Sequence, residues 1–397
     1  MERDPNIPTR AKPSRVEIID MLRGWAVIVM IETHVFNATL SGEATSSTLF
    51  YYLKFFNGLV APSFLFASGL AYAVTTRRKM KQYLQFGRPL FKQLSRILLI
   101  LAIGYILHVP FFSLQRLRAG ITTEQYQGFF QVDILQCIAV TLLILQCTLF
   151  LFRVERIIYW VTGALGVGFV FLAPIVWGID FWTILPWPIA AYLNGLRYSL
   201  FPLFPWAGFL LAGTLAGFVY VTAHERNMPH GAGPGEISMM RSLLWIGGSA
   251  ILLSVAIEPL AGYLYPGHDY WRASPGFFFL RLGLVAVLCS FLHMYQQWRG
   301  ISPHSIITLF GRESLLIYVL HLLMIYGTFG EFKFAAEAGQ SFGYDGAGIT
   351  TILLLLLMYV SARFWSHVKK ESPRLKVIFN VCTVTFAIGL FIFGSGE

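Results

Sequence analysis

Four ionisable residues, Asp20, Arg23, Glu32 and His34, lie in the first long apolar segment of the chain, residues 17–40. Ionisable side chains are rare inside a bilayer, so each one there is a candidate for function. At 100° per residue, Asp20, Arg23 and His34 fall within roughly 60° of one another on a helix. Arg23 and His34 are also about 16 Å apart along the axis, at 1.5 Å per residue. This arrangement suits chemistry that crosses a membrane.

The two side-chain types suggest which chemistry that is. A guanidinium stays charged and binds phosphate oxygens with two parallel hydrogen bonds, so Arg23 is suited to a phosphate-bearing molecule. An imidazole transfers protons near neutral pH, so His34 is suited to acid–base work. For His34 the functional interpretation outweighs the structural one, because Arg23 shares its face of the helix.

The composition is that of a membrane protein. The chain has 397 residues, of which 56% are hydrophobic and 13% charged, and its mean hydropathy is +0.63. These values exclude a soluble globular protein. The net charge of +10 does not indicate nucleic-acid binding, because the Lys and Arg residues fall in loops, as topology signals do. The four cysteines lie in apolar segments without a CxxC pair, so we expect neither a disulfide nor a bound metal.

Apolar stretches of about 20 residues recur along the chain and predict one all-α, polytopic membrane domain over residues 17–394, after a cytoplasmic segment 1–16. Hydropathy places eleven membrane helices at residues 17–40, 55–76, 94–114, 131–152, 157–177, 201–222, 241–263, 276–296, 304–326, 345–366 and 376–394. The loops on one side carry most of the Lys and Arg residues, which predicts a cytoplasmic N-terminus and an external C-terminus. Residues 223–240 are rich in Gly and Pro and are interpreted as a flexible cytoplasmic linker.

With this orientation, the ionisable residues of the predicted helices form two layers. The cytoplasmic layer is mostly guanidinium and consists of Arg23, Arg96, Arg312 and Arg363, with Asp20 and Glu313 beside them. The outer layer is mostly carboxylate and imidazole and consists of Glu32, His34, His108, Asp133, Glu258, Arg281 and His321. We therefore expect phosphate binding on the cytoplasmic side and proton transfer toward the outer side.

Several of these residues also have structural interpretations. Arg96 lies near a helix end, where a long side chain commonly reaches the interface without binding a ligand. Asp133 stands at the start of the fourth predicted span and would serve as its N-cap. Arg312 and Glu313 would form an ion pair at the end of a span. His108 is more typical of a hydrogen-bonded core histidine.

Two further features concern the outer side. The segment 178–206 is dense in Trp, Phe, Tyr and Pro, and both an interfacial aromatic belt and a substrate vestibule stay open for it. His321, in the sequence SLLIYVLH, is the second candidate for proton transfer after His34.

These motifs resemble a known superfamily. The segment RVEIIDMLRGWAVIVMIETH is similar to the opening of the transmembrane acyltransferases, including the acyltransferase-3 proteins, whose first helix carries an Arg, ten residues and a His. Four further blocks, at residues 55–70, 132–144, 204–217 and 310–321, resemble the heparan-α-glucosaminide N-acetyltransferase catalytic-domain branch. The resemblance extends from about residue 15 to residue 325.

The resemblance implies an acyl-coenzyme A donor, acetyl-coenzyme A above all, bound from the cytoplasm. It implies transfer of the acyl group to an amine or hydroxyl of a glycan or glycoconjugate on the far side. His34 takes the position of the catalytic histidine, and Arg23 that of the partner that helps hold the donor. From the charge layers, Asp133 and His321 are candidate catalytic helpers, and Asp133 or Glu258 would orient the imidazole of His34. Likewise, Asp20, Arg96 and Arg312 are expected to bind the donor together with Arg23.

One departure limits what the resemblance carries over. The lysosomal members have their catalytic histidine in the loop after the first span and an Asn at the position of His34. Here that loop, residues 41–56, contains no histidine. The acceptor of the lysosomal members is therefore not carried over, and we expect a member of the bacterial inner membrane. A homodimer stays open.

Two other classes of function compete with this interpretation. A transporter or flippase for a sugar or lipid-linked substrate would use the two charge layers as a path, without any acyl transfer. A non-catalytic membrane subunit would bind a partner through the aromatic loops, and Arg23 and His34 would then be dispensable. Release of free coenzyme A thiol in the presence of an acceptor separates the enzyme from both.

Overall fold

The computed structural model describes residues 16–227, 234–299, 305–327 and 334–394. Within these ranges the chain is helical, and the only β pairing there is an isolated bridge between Leu40 and Phe342. The prediction of an all-α protein is confirmed.

Twenty α-helices follow one another in the described residues, and most of the long ones are apolar. The first ten are α1 (Glu17–Thr39), α2 (Gly42–Thr45), α3 (Thr48–Asn57), α4 (Val60–Tyr83), α5 (Arg88–Ile106), α6 (Leu114–Ala119), α7 (Thr123–Phe129), α8 (Ile134–Phe152), α9 (Glu155–Phe171) and α10 (Ala173–Trp177). The others are α11 (Trp187–Leu193), α12 (Leu203–Asn227), α13 (Pro234–Leu264), α14 (Tyr270–Ala273), α15 (Pro275–Arg299), α16 (Ile306–Arg312), α17 (Ser314–Tyr326), α18 (Phe334–Ala338), α19 (Tyr344–Glu371) and α20 (Pro373–Phe393).

A helix stands at each of the eleven predicted positions, and the prediction of a polytopic membrane protein is confirmed. Among the described residues, eight helices are long and apolar enough to cross a bilayer, or nine if the bent pair α16–α17 counts as one span. The two remaining positions are those of α9, with 17 residues, and α1, which carries four charged residues. The number of eleven spans and the side of the N-terminus stay predictions.

The predicted linker 223–240 is shorter in the structure. Helix α12 continues to Asn227 and α13 begins at Pro234, so both helices extend into the Gly- and Pro-rich stretch. Residues 228–233, between the two helices, lie outside the described residues, as does almost all of the predicted cytoplasmic segment 1–16.

Helix α1 lies at the centre of the molecule. It packs against α4, α15, α16, α17 and α19, and residues on several of its faces, such as Ala26, Val27, Ile31 and Val35, are fully buried. A helix that is apolar nearly all round is stable only when other helices surround it. The polar side chains of α1 are therefore presented to other helices and to cavities between them.

Two glycines bring α1 and α16 into backbone contact. A methyl group at Gly24 of α1 would overlap the carbonyl oxygen of Ile307 in α16, and one at Gly311 of α16 would overlap the carbonyl oxygen of Asp20 in α1. Small residues permit this close approach of helices in membranes. The contact is reciprocal, so it fixes both the position and the register of α16 on the first half of α1.

The ninth predicted span, residues 304–326, is not one continuous helix. Helices α16 and α17 meet at an angle of 87°, and Glu313 between them has non-helical backbone angles (φ −103°, ψ 19°). Its buried carboxylate accepts hydrogen bonds from Lys369 Nζ of α19, which lies 2.6 Å from Oε1 and 2.5 Å from Oε2. Glu313 therefore pairs with a lysine distant in the sequence, and its predicted pairing with Arg312 stays a prediction.

We expect Gly24→Ala and Gly311→Ala each to lower the melting temperature of the detergent-purified protein. The added methyl group would force α1 and α16 apart, and such overpacking costs about 1–3 kcal/mol. Thermal unfolding followed by tryptophan fluorescence measures the effect. The matched control is Gly248→Ala, since that glycine of α13 has open space around it. Equal melting temperatures for all three variants would contradict the backbone contact.

Candidate active site

His34 lines a cavity of about 230 Å³ between the second half of α1 and the starts of α4, α8 and α12. The cavity wall is mostly apolar and carries a few polar groups, which is typical of a ligand site. It consists of Met30, Thr33, His34, Asn57, Gly58, Val60, Ala61, Phe64, Asp133, Ile134, Leu200, Phe201, Trp206 and Tyr318.

The imidazole of His34 is held by α17. Its Nδ1 lies 3.1 Å from the hydroxyl oxygen of Tyr326, and its ring centroid lies 5.2 Å from that of His321. Neither Tyr326 nor His321 lines the 230 Å³ cavity, so both contact the imidazole from outside it. Within the described residues His34 Nε2 makes no hydrogen bond.

His321 is fully buried, and one hydrogen bond determines its tautomer. Its Nδ1 lies 2.9 Å from the carbonyl oxygen of Ile317, one turn earlier in α17. Because a carbonyl oxygen only accepts, the proton must be on Nδ1 and the lone pair on Nε2. That Nε2 is buried and has no partner among the described residues. Buried polar atoms are normally paired, so His321 Nε2 marks this place as a candidate functional site.

Asp133 lines the cavity and also caps α8, so the predicted N-cap is present and the residue lies at the candidate site as well. Its Oδ1 accepts a hydrogen bond from the backbone N–H of Ile134 at 2.7 Å, and its Oδ2 accepts one from the Tyr318 hydroxyl at 3.4 Å. His108 Nε2 lies 4.0 Å from the same Oδ2. Asp133 makes no hydrogen bond with His34, so it does not orient that imidazole.

His108 has the structural role that the sequence favoured. Its Nδ1 lies 2.7 Å from the carbonyl oxygen of Gly104, one turn earlier in α5. Gln136 of α8 approaches the same nitrogen at 3.3 Å. His108 is therefore a hydrogen-bonded histidine beside the cavity and is absent from its wall.

Glu32 turns away from His34 and meets α3. Its Oε2 accepts a hydrogen bond from Asn57 Nδ2 at 2.8 Å. Because a carboxylate only accepts, the amide nitrogen of Asn57 must face Glu32 and the amide oxygen must point elsewhere. Asn57 lines the His34 cavity, so its wall contains an amide whose orientation Glu32 determines.

A second cavity, of about 150 Å³, adjoins the first along the same face of α1. Arg23 supplies its cation, and the other lining residues are Phe64, Ser68, Ile100, Ile134, Leu135, Ile138, Ser314, Leu315 and Tyr318. Phe64, Ile134 and Tyr318 belong to both cavity walls. Arg23 and His34 thus face two spaces whose walls share these three side chains.

The other predicted donor-binding residues lie around the Arg23 cavity rather than in its wall. Asp20 is buried where α1 meets Gly311. Arg96 is exposed on α5, one turn before Ile100, which lines the cavity. Arg312 ends α16, two residues before Ser314, another lining residue.

Glu258 and Arg281, two residues of the predicted outer layer, interact with groups other than His34. Glu258 accepts hydrogen bonds from His268 Nε2 at 3.0 Å and from the Ser274 hydroxyl, so both of its oxygens are engaged away from His34. Arg281 donates to the carbonyl of Phe55 and lies between the rings of Phe55 and Phe277, at 4.4 and 5.3 Å from their centroids. The proposed orientation of His34 by Glu258 is therefore wrong.

The aromatic segment 178–206 contributes directly to the cavity. Its residues Leu200, Phe201 and Trp206 line the wall, and the backbone N–H groups of Leu200 and Phe201 donate to the carbonyl of Val132, just before α8. This end of the segment therefore lines the His34 cavity, while the choice between an aromatic belt and a substrate vestibule stays open.

Sequence reasoning missed Tyr326, Asn57 and Tyr318. Tyr318 lies one turn before His321 on α17, so helical periodicity could have indicated it. Tyr326 and Asn57 carry no such signal, because Tyr326 is 292 residues from His34 in sequence and Asn57 is 25 residues from Glu32. No group of three or more His, Cys, Asp or Glu residues in the described part of the chain could hold a metal ion.

Comparison with known proteins supplies the family. The family described as heparan-alpha-glucosaminide N-acetyltransferase, catalytic, matches residues 15–259. This range includes α1, α4 and α8, which contribute to both cavity walls, and the aromatic segment 178–206. No curated protein matches the sequence. The match covers more than half of the chain and agrees with the helical membrane architecture. The chain belongs to the heparan-alpha-glucosaminide N-acetyltransferase catalytic-domain family of membrane acetyltransferases.

Proposed function

We propose that this protein transfers an acyl group, in the first place acetyl, from cytoplasmic acyl-coenzyme A to an amine or hydroxyl of a glycan or glycoconjugate at the outer face of the membrane. The observation that supports it is the pair of adjoining cavities along α1, with Arg23 in one and His34 in the other. The family match supports the acetyltransferase class. A bacterial inner membrane and a cytoplasmic N-terminus are parts of the same proposal.

The donor enters at the Arg23 cavity. Arg23 binds a phosphate oxygen of the nucleotide, and Arg96 and Arg312 supply positive charge on the approach from the cytoplasm. Asp20 supports the site from its buried position on α1. The pantetheine arm then passes Phe64, Ile134 and Tyr318, the residues that line both cavities. The axial distance of about 16 Å from Arg23 to His34 is of the order of that arm's length.

The chemical step takes place beside His34. The acceptor nitrogen or oxygen attacks the thioester carbonyl carbon, His34 Nε2 takes its proton, the carbon–sulfur bond breaks and coenzyme A leaves with the sulfur. The same proton then neutralises the thiolate. A route through an acyl-His34 intermediate uses the same residue as a nucleophile. His321, whose Nε2 lone pair is unpartnered, and Asp133 in the cavity wall are the helpers in this proposal.

The acceptor occupies the His34 cavity. A volume of about 230 Å³ suits one sugar ring, and Trp206 supplies an aromatic wall. The Asp133 carboxylate and the Asn57 amide oxygen accept hydrogen bonds from hydroxyl or amine groups. No Lys or Arg is among the described residues that line this cavity, so its polar groups favour a ligand that donates hydrogen bonds.

The break between α16 and α17 favours one alternative. Broken helices beside a buried site are typical of secondary transporters, and this pair is bent by 87° next to the two cavities. A transporter or flippase for a sugar or lipid-linked substrate would move that substrate without releasing coenzyme A. Measuring transport into vesicles and thiol release on one preparation separates the two functions.

Acetyl-coenzyme A is expected to raise the melting temperature of the purified protein, and Arg23→Ala should abolish most of the shift. A ligand bound only by the folded state stabilises it by about 2.7 kcal/mol at 100 times its Kd. Coenzyme A and dephospho-coenzyme A, tested in parallel, show which phosphates matter. Arg197→Ala is the control, since that arginine pairs with Asp180 on an exposed loop. No shift at millimolar donor with folded protein would contradict the donor site.

His34→Gln should reduce acyl transfer by about 10²–10⁴-fold, the usual contribution of a general base, while the donor-induced melting shift persists. Thiol release from acetyl-coenzyme A, with glucosamine and its oligosaccharides as trial acceptors, measures transfer. His367→Gln, at an exposed position of α19, serves as the control. A folded His34→Gln variant with full transfer activity would exclude both the base and the acyl-histidine route.

Asn57→Ala and Glu32→Ala should both raise the KM for the acceptor and leave the donor-induced melting shift unchanged. The first removes an amide oxygen from the cavity wall, and the second removes the carboxylate that orients that amide. Each change should cost about one hydrogen bond, or about 5–10-fold in KM. Glu43→Ala, an exposed carboxylate on α2, is the control. An unchanged acceptor KM in both variants would place the acceptor elsewhere.

A further inference from the structure

We propose that Tyr326 is a positioning residue that holds His34 as the tautomer with its proton on Nδ1, so that Nε2 is left as the proton acceptor. The proposal rests on the proposed role of His34 as the base. It goes further by naming the reactive nitrogen and the group that selects it. The sequence offered Asp133 and Glu258 for this task, and both are engaged by other groups.

The contact itself is direct. Tyr326 Oη lies 3.1 Å from His34 Nδ1, and the two rings meet edge to face with centroids 5.7 Å apart. It is the only hydrogen bond of His34 within the described residues. Since Tyr326 does not line the cavity but His34 does, the tyrosine holds one edge of the imidazole from outside.

Either His34 Nδ1 or the Tyr326 hydroxyl could donate this hydrogen bond, and the proposed proton transfer to Nε2 requires Nδ1 to be the donor. If Tyr326 donated its proton to Nδ1, the neutral imidazole would carry its own proton on Nε2 and could not accept another one there. If Nδ1–H donates to Tyr326 Oη, the lone pair is on Nε2. The phenol oxygen can accept this bond through a lone pair, and because Tyr326 is 41% exposed its own proton can turn away from His34. Proton removal from an acceptor in the cavity requires this second arrangement.

Helix α17 provides a rigid support for the tyrosine. Tyr326 is its last residue, next to the fully buried Ile325, and Gly327 ends the helix in the left-handed conformation (φ 60°) with its N–H bonded to the Leu323 carbonyl at 3.0 Å. His321 lies on the same helix, and its own bond to Ile317 selects the same kind of tautomer. A single helix therefore sets the protonation pattern of both imidazoles.

Nitrogen NMR tests the tautomer without any substrate. Protein labelled with ¹⁵N in the histidine rings is recorded in lipid nanodiscs, and the His34→Gln spectrum identifies the His34 signals. Wild-type His34 should show a protonated Nδ1 and an unprotonated Nε2. In Tyr326→Phe the signals should move toward the Nε2–H form that free histidine prefers. A wild-type His34 protonated on Nε2, or a spectrum unchanged by Tyr326→Phe, would overturn the proposal.

Kinetics test what the tautomer does. Tyr326→Phe should lower kcat for thiol release with glucosamine by about tenfold or more, with the donor-induced melting shift and the donor KM unchanged. Tyr344→Phe is the control, because that hydroxyl is also hydrogen-bonded, to Ser47 at 2.6 Å and to the Ala44 carbonyl at 3.0 Å, away from His34. Wild-type kcat in Tyr326→Phe would overturn the positioning role.

Together the NMR and kinetic measurements distinguish failure of the proposed function from failure of the proposed role of Tyr326. If the NMR spectra show the expected tautomer and its loss in Tyr326→Phe, but wild-type protein transfers no acyl group, the proposed function fails and the assignment of Nδ1 to Tyr326 stands. If transfer depends on His34 and the tautomer does not change in Tyr326→Phe, the function stands and the role of Tyr326 is excluded.

Discussion

The site depends on the backbone contact between α1 and α16. Gly24 and Gly311 let the two helices touch over the first half of α1, and no larger side chain fits at either position. Because α16 is fixed there, the bend after Arg312 directs α17 along the second half of α1. The start of α17 then lines the Arg23 cavity, and its end reaches His34. One close helix contact thus places groups from both helices at two depths of the same membrane domain.

The buried polar groups show how the fold satisfies charge in an apolar interior. Three glutamates accept hydrogen bonds from residues on other parts of the chain. Lys369 donates to Glu313, and Asn57 donates to Glu32. His268 and Ser274 both donate to Glu258. An unpaired polar group in such surroundings costs several kcal/mol, about 2–7 for one uncharged group, so these pairs stabilise the fold. The pairing is incomplete, because several buried polar atoms, among them Glu32 Oε1 and His321 Nε2, have no hydrogen-bond partner within the described residues. Of these, His321 Nε2 belongs to the ring that lies against the candidate base, His34.

Much of the site could be predicted from α1 alone. Asp20, Arg23 and His34 are on one continuous helix, so their common face and their separation follow from helix geometry. The capping role of Asp133 was likewise predictable, because an Asp before an apolar helix, with Gln136 three residues on, is a local signal. The partners of Glu258, and the pairing of Glu313 with Lys369, could not be predicted from the charge layers. Those layers sort residues by depth and carry no information about which helices are neighbours.

The sequence by itself determined the membrane class, the helix positions and the spacing of guanidinium and imidazole on the first helix, because these depend on composition and on contacts within a few residues. Only the tertiary structure decided that the span at 304–326 is broken, because hydropathy is the same on both sides of a bend. It also decided that Tyr326 binds His34 and that Asn57 binds Glu32. Those partners depend on which helices pack together, and packing is set by close contacts between residues far apart in the chain.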